Sequence, residues 1–174
     1  NNLTGKDDGG RQERAIRLTL GTDLSATADA TLKIERSTFD VDGRGDELIT
    51  GYKDPVSGLG YVDAGNAFLT PLGMGSDDGK ADRRRNTNAQ EFSDTTVDNL
   101  TFRLNWDIGG ITMTAVTGYL AYDQDEFLDT DGSGYNFLIQ DRSEEFEQFS
   151  QEIRFVSPGG ETIDWIAGVY YQTW

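Results

Sequence analysis

The sequence predicts an all-β chain, a segment of about six antiparallel up-and-down strands from a large transmembrane β-barrel, with two long extracellular loops. Three observations predict it. Apolar and polar residues alternate with the period of two that marks a strand, and no segment shows a 3.6-residue period. The connections between these runs alternate short and long. No stretch approaches the ~20 apolar residues of a membrane helix, whereas a barrel strand needs only ~10 alternating ones.

The strands follow in order. The first is read from Ile16, Leu18 and Leu20 against Arg17 and Thr19. The second runs from Ala26 to Ile34, with every even position apolar and Thr27, Asp29, Thr31 and Lys33 between them. The third holds Leu100, Phe102, Leu104 and Trp106 against Thr101, Arg103 and Asn105. The fourth starts at Ile111 and continues less regularly to Tyr122. The fifth carries Phe149, Ile153 and Phe155 against Ser150, Glu152 and Arg154. The sixth spans Ile163 to Tyr171, with Trp165, Ala167 and Val169 on the face of Ile163.

Short turns are expected at Gly21-Thr22-Asp23, Asp107-Ile108-Gly109-Gly110 and Ser157-Pro158-Gly159-Gly160, where Gly supplies positive φ. Long connections are expected from about Asp40 to Thr96 and from about Asp123 to Glu145. Connections of this length are unusual in compact soluble domains. Barrels of outer membranes use them routinely, with short periplasmic turns opposite. Eight acids against Arg142 alone between Asp123 and Glu145 require water around that segment. Trp106, Phe155 and Trp165 flank the short turns, as an interfacial aromatic girdle requires. Asp29, Lys33, Arg103, Glu152 and Arg154 are expected on a wet lumen face.

Composition narrows the function. The 174 residues carry 31 acids and 15 bases, a net charge of −16, which argues against nucleic acid as a partner. There is no His and no Cys, which removes Cys/His zinc sites, thiol nucleophiles, disulfides and any Ser-His-Asp triad. No two carboxylates have a spacing that pairs them for hydrolysis, so no catalytic residue is assigned and no enzyme is expected. Cofactor and metal sites are likewise unassigned. Asn1 in place of an initiator Met, and a strand-like run up to Trp174, give the expectation that the chain is a piece of a longer one.

The C-terminal third carries a resemblance. Glu147-Gln148-Phe149-Ser150-Gln151-Glu152-Ile153-Arg154-Phe155-Val156-Ser157-Pro158-Gly159-Gly160, followed by Ile163-Asp164-Trp165-Ile166-Ala167-Gly168-Val169-Tyr170-Tyr171, resembles the mid-barrel hairpin of TonB-dependent outer-membrane receptors. Met113-Thr114-Ala115-Val116-Thr117-Gly118-Tyr119 is similar to the strand before it. The resemblance covers roughly residues 100–171, is weaker over the first two strands and is absent from the long loop. It implies a 22-stranded barrel filled by a plug, of which six strands make about a quarter. It implies that residues 1–174 are part of a single receptor β-barrel domain, with plug and TonB box upstream.

The activity so implied is import across the outer membrane of a Gram-negative bacterium. The ligand would be scarce, a siderophore-iron complex, cobalamin or an oligosaccharide, and the energy would come from the TonB-ExbB-ExbD system. Outer-membrane lipid would surround the wall, long loops outside and short turns in the periplasm. The alternatives are a passive porin-like barrel and a soluble all-β surface or adhesin module.

Other motifs have blander readings beside them. Asp129-Thr130-Asp131-Gly132-Ser133-Gly134 looks like part of a calcium loop, but Gln140 stands where a bidentate Glu belongs, and a solvated acidic loop is the plainer reading. Arg83-Arg84-Arg85 fits an anionic ligand or, more simply, ion pairs within the chain. Arg44-Gly45-Asp46 is an adhesion-type tripeptide and also an ordinary polar turn. Asn2-Leu3-Thr4 and Asn99-Leu100-Thr101 match glycosylation sequons by letter only. Tyr52, Tyr61, Phe68 and Phe92, with Arg83 to Arg85, are candidate ligand contacts by location on the first long connection, and no ligand-binding residue is assigned.

Overall fold

A computed structural model describes residues 5, 7, 9–43, 47, 53–73, 80–160 and 162–174. The fold is all-β: one six-stranded antiparallel sheet in which spatial order follows chain order. The strands are β1 (Gly10–Ser25), β2 (Ala28–Asp42), β3 (Phe92–Ile108), β4 (Ile111–Asp129), β5 (Ile139–Val156) and β6 (Ile166–Thr173). This is the up-and-down meander that the alternation predicts. By internal packing the chain divides into two units. One comprises 1–12, 39–94 and 124–143, and the other 13–38, 95–123 and 144–174.

Most strands are much longer than the runs that reveal them. Beyond residue 36 in β2 the apolar side chains, Phe39 and Val41, change face, and before residue 99 in β3 and beyond residue 122 in β4 polar side chains predominate on both faces, so the hydrophobic period of the run is lost while the ladder continues. The expected loop from Asp123 to Glu145 is therefore mostly strand, and only residues 130–138 connect β4 to β5. Its acids stand on paired backbone.

Three boundaries differ from expectation. The first turn falls at Ala26-Thr27, not at Gly21-Thr22-Asp23, which lies inside β1. Two hydroxyls make this Gly-free turn feasible: Ser25 Oγ accepts the Thr27 N–H at 3.2 Å and meets Thr27 Oγ1 at 3.3 Å. The sixth strand begins at Ile166 rather than Ile163, because the Ser157 N–H donates to the Trp165 carbonyl and Ser157 Oγ accepts the Trp165 N–H, closing a longer loop. The third difference is a short helix, α1 (Tyr61–Leu69), with a 3-10 turn at Thr70–Leu72. Nine residues are too few for a helical period to show in sequence. Its start is fixed locally, where the Asp63 carboxylate accepts the Gly60 N–H at 3.2 Å.

The turn between β3 and β4 is as expected. Gly109 and Gly110 have φ of 64° and 91°, and the Asp107 carboxylate accepts the Gly110 N–H at 2.9 Å.

β6 approaches β5 closely at one point. Gly168 pairs with Arg154, and a Cβ on Gly168 would sit 2.7 Å from the Ile153 carbonyl oxygen. Gly168→Ala must push backbone against backbone and is expected to destabilise the sheet by about 1–3 kcal/mol. Gly118→Ala meets only the Ser150 hydroxyl, which can rotate away, so it should cost much less. Urea titrations of both variants check the difference.

Candidate functional site

Side-chain pairing assigns the two faces of the sheet. Thr114 Oγ1 donates to the Asn105 carbonyl oxygen at 3.1 Å, and the Asn105 amide donates to Asp29 at 3.0 Å, joining three strands on one face. The Arg17 guanidinium donates to Glu35 at 2.7 Å, and Glu35 also pairs with Lys33. On β5 the Arg154 guanidinium stands 3.7 Å from Glu152. Carboxylates, amides and cations on this face largely satisfy one another. Of the residues expected on a wet lumen, Asp29, Lys33, Glu152 and Arg154 lie in these contacts, and Arg103 shares the parity of Asn105.

The opposite face is apolar and uncovered. Ile16 is 77% exposed, Trp106 45% and Val169 70%. Leu18, Leu20, Ile34 and Phe102 on the same face are exposed as well. Among the described residues the buried apolar side chains are only Ala30, Leu69 and Leu128. A soluble sheet buries its apolar face against a second layer. No such layer covers this one among the described residues. The polar side chains within the apolar stripe are paired too, since Thr117 Oγ1 donates to the Gln151 side-chain oxygen at 2.7 Å.

The apolar stripe of β3 runs from Leu100 to Ile108, nine residues or about 30 Å of strand. At a tilt of ~40° this projects to about 23 Å, close to the ~25 Å apolar band of membrane barrels.

The other unit contains the long connection between β2 and β3, the 130–138 connection and a buried polar node. The Arg85 guanidinium grips the Glu91 carboxylate with both arms, at 3.0 and 2.8 Å. Glu91 Oε1 also accepts the Asp129 N–H at 3.0 Å, and Asp129 Oδ2 accepts the Asn88 N–H at 3.0 Å. Thr87 and Leu128 are almost fully buried. Burial pushes the Asp129 carboxyl up, with Asp131 adding to the effect, against the N–H bonds that hold it down. These contacts fasten residues 85–91 to the end of β4.

The 130–138 connection is organised by Asp131. Its Oδ1 accepts the Ser133 N–H and hydroxyl, and its Oδ2 accepts the N–H groups of Phe137 and Leu138 at 3.2 and 3.0 Å. Asp129 Oδ1 accepts from the Asp131 and Gly132 N–H groups. The carboxylates that suggested a calcium loop thus bind backbone. No group of three or more acidic ligands among the described residues is placed to hold a metal ion.

The candidate ligand contacts part company. Phe68 is exposed on α1, and Arg83 and Arg84 are exposed in the segment that leads to Arg85. Arg85 is consumed in the buried pair, as the ion-pair reading expected. Phe92 stacks on Phe127, with ring centroids 6.1 Å apart. Tyr52 and Arg44-Gly45-Asp46 lie outside the described residues, as do Asn1 and Asn2-Leu3-Thr4, and of Tyr61 only the helical backbone is described. Sequence reasoning passed over Tyr135 and Phe137, whose rings pack 4.3 Å apart and stand exposed on the loop that Asp131 organises. The available signal was an aromatic pair two residues apart in an otherwise small and polar stretch.

No protein-family model, curated protein or solved structure matches the chain.

Proposed function

We propose that this chain is part of the wall of an outer-membrane β-barrel that imports a scarce ligand with energy relayed through TonB. The observation that carries the membrane half of this reading is the pairing of an uncovered apolar face with an internally neutralised polar face on one continuous sheet. Lipid is the natural cover for the first and a wet lumen for the second. The up-and-down order, with one long connection set between two two-residue turns, supports the same reading. The transporter half rests on the likeness of the Phe149–Tyr171 hairpin and the Met113–Tyr119 strand to TonB-dependent receptors. In this reading the connections after β2 and β4 are extracellular, and the exposed Tyr135–Phe137 pair offers contact surface to the ligand. The chain is a receptor and transporter without catalytic chemistry.

The experiment is uptake of labelled ligand by intact cells. Accumulation should collapse when the inner-membrane proton gradient is dissipated or TonB is deleted, while binding to the cell surface persists. Undiminished uptake without TonB would favour a passive porin-like channel. Recovery of the intact protein in the soluble fraction without detergent would favour a surface module.

A further inference from the structure

The apolar stripe ends at the same level on four neighbouring strands. Along β2 it reads Ala28, Ala30, Leu32, Ile34 and then Arg36. Along β3, followed backwards from Ile108, it reaches Leu100 and then Asp98. On β4 it runs from Ile111 through Thr117 to Tyr119, with only Ala121 before Asp123, and on β5 backwards from Phe155 through Phe149 to Glu147. These four residues are neighbours in space as well as in pattern. The Arg36 guanidinium is 3.7 Å from the Asp98 carboxylate. The Tyr119 hydroxyl lies within electrostatic reach of Glu147, Asp98 and Asp123. Further along the same strands this face carries Asp40, Asp94 and Asp125, and loss of solvent together with the charges of Asp40, Asp42 and Asp125 holds the Asp94 carboxyl above the usual range.

We propose that the row Arg36–Asp98–Tyr119–Glu147 is where the sheet leaves the hydrocarbon and meets the headgroups of the outer leaflet. Resting on the membrane reading, this fixes how deep the sheet sits. β2 to β5 then continue past the bilayer as a polar-faced extension. Three physical reasons converge on the row. Charged side chains on a lipid face are costly at mid-membrane and nearly free at the interface. Tyr is the side chain that places a ring in the apolar zone and a hydroxyl among headgroups. Asp40, Asp94 and Asp125 on the same face require water or counter-ions around them, which hydrocarbon cannot supply.

The chain has no cysteine, so single labels are unambiguous. The intact protein, with Cys at one position and a fluorophore attached, is folded into phosphatidylcholine vesicles containing brominated acyl chains. Phe102→Cys and Ile153→Cys should be quenched several-fold relative to vesicles without bromine. Asp94→Cys and Asp125→Cys should show no loss, and Thr101→Cys on the polar face should show none either. The two sites in each class guard against one variant failing to fold. Equal quenching at Asp94→Cys or Asp125→Cys and at Phe102→Cys would overturn the boundary and leave the membrane reading standing. Absence of quenching at both Phe102→Cys and Ile153→Cys would overturn the membrane reading and the boundary with it.

Discussion

Leu32→Arg is expected to destabilise the sheet in a bilayer by about 2–4 kcal/mol, because it places a cation on the lipid face near mid-membrane. Leu32 lies midway along the β2 stripe between Ala28 and Arg36. Thr31→Arg is the matched control, one residue away on the face that already carries Lys33 and Glu35. A new cation there has water and a carboxylate for company, so the change should stay within about 0.5 kcal/mol. Urea titrations of the intact protein refolded in vesicles read both. Equal costs would mean that the two faces meet the same medium, and the membrane assignment of β2 would fall.

Glu91→Ala should have an effect of similar size at the other unit. The Glu91 side chain is 1% exposed and that of Arg85 11%, so removing the carboxylate takes its opposite charge away from a buried guanidinium and leaves the Asp129 N–H without its acceptor. Breaking a buried pair from one side costs roughly 3–5 kcal/mol. The loss should be local, releasing residues 85–91 from the end of β4 while β-sheet content is retained. Hydrogen exchange at the Asn88 and Asp129 amides measures it directly, and added protease should begin to cut in this segment. Glu91→Gln keeps an acceptor for Asp129 and should lose less. Unchanged exchange in Glu91→Ala would show that other contacts hold the segment.

Both experiments probe contacts that sequence reveals to different degrees. The apolar halves of the strands were legible because their two faces meet different media, and a period of two follows from that alone. Ala28 to Ile34 and Leu100 to Ile108 needed nothing beyond the pattern. Where both faces are polar, as from Asp123 to Glu126, the pairing leaves no periodic trace, and where the apolar side chains change face, as at Phe39-Asp40-Val41-Asp42, the run breaks. Those stretches passed for loop. The Gly109-Gly110 turn was legible because only Gly accepts two successive positive φ values at no steric cost. The Ala26-Thr27 turn was not, since its stability comes from two hydroxyls and not from a permissive backbone.

By itself the sequence determined that this chain is all-β, that its strands carry one apolar face, and that it holds no thiol, no imidazole and no Cys/His zinc site of its own. Local alternation and composition suffice for these, because each depends on residues within a few positions of one another. Only the tertiary structure decided which acids are engaged and with what. Arg85 to Glu91 spans six residues of irregular chain, Glu91 to Asp129 spans 38, and Asp29 reaches Asn105 across 76. Pairings at such separations are fixed by strand register and by the path of a connecting segment, neither of which leaves a mark on neighbouring letters. The DTDGSG stretch makes the same point, since its carboxylates were free in sequence to hold a cation and in the fold are turned to backbone N–H groups.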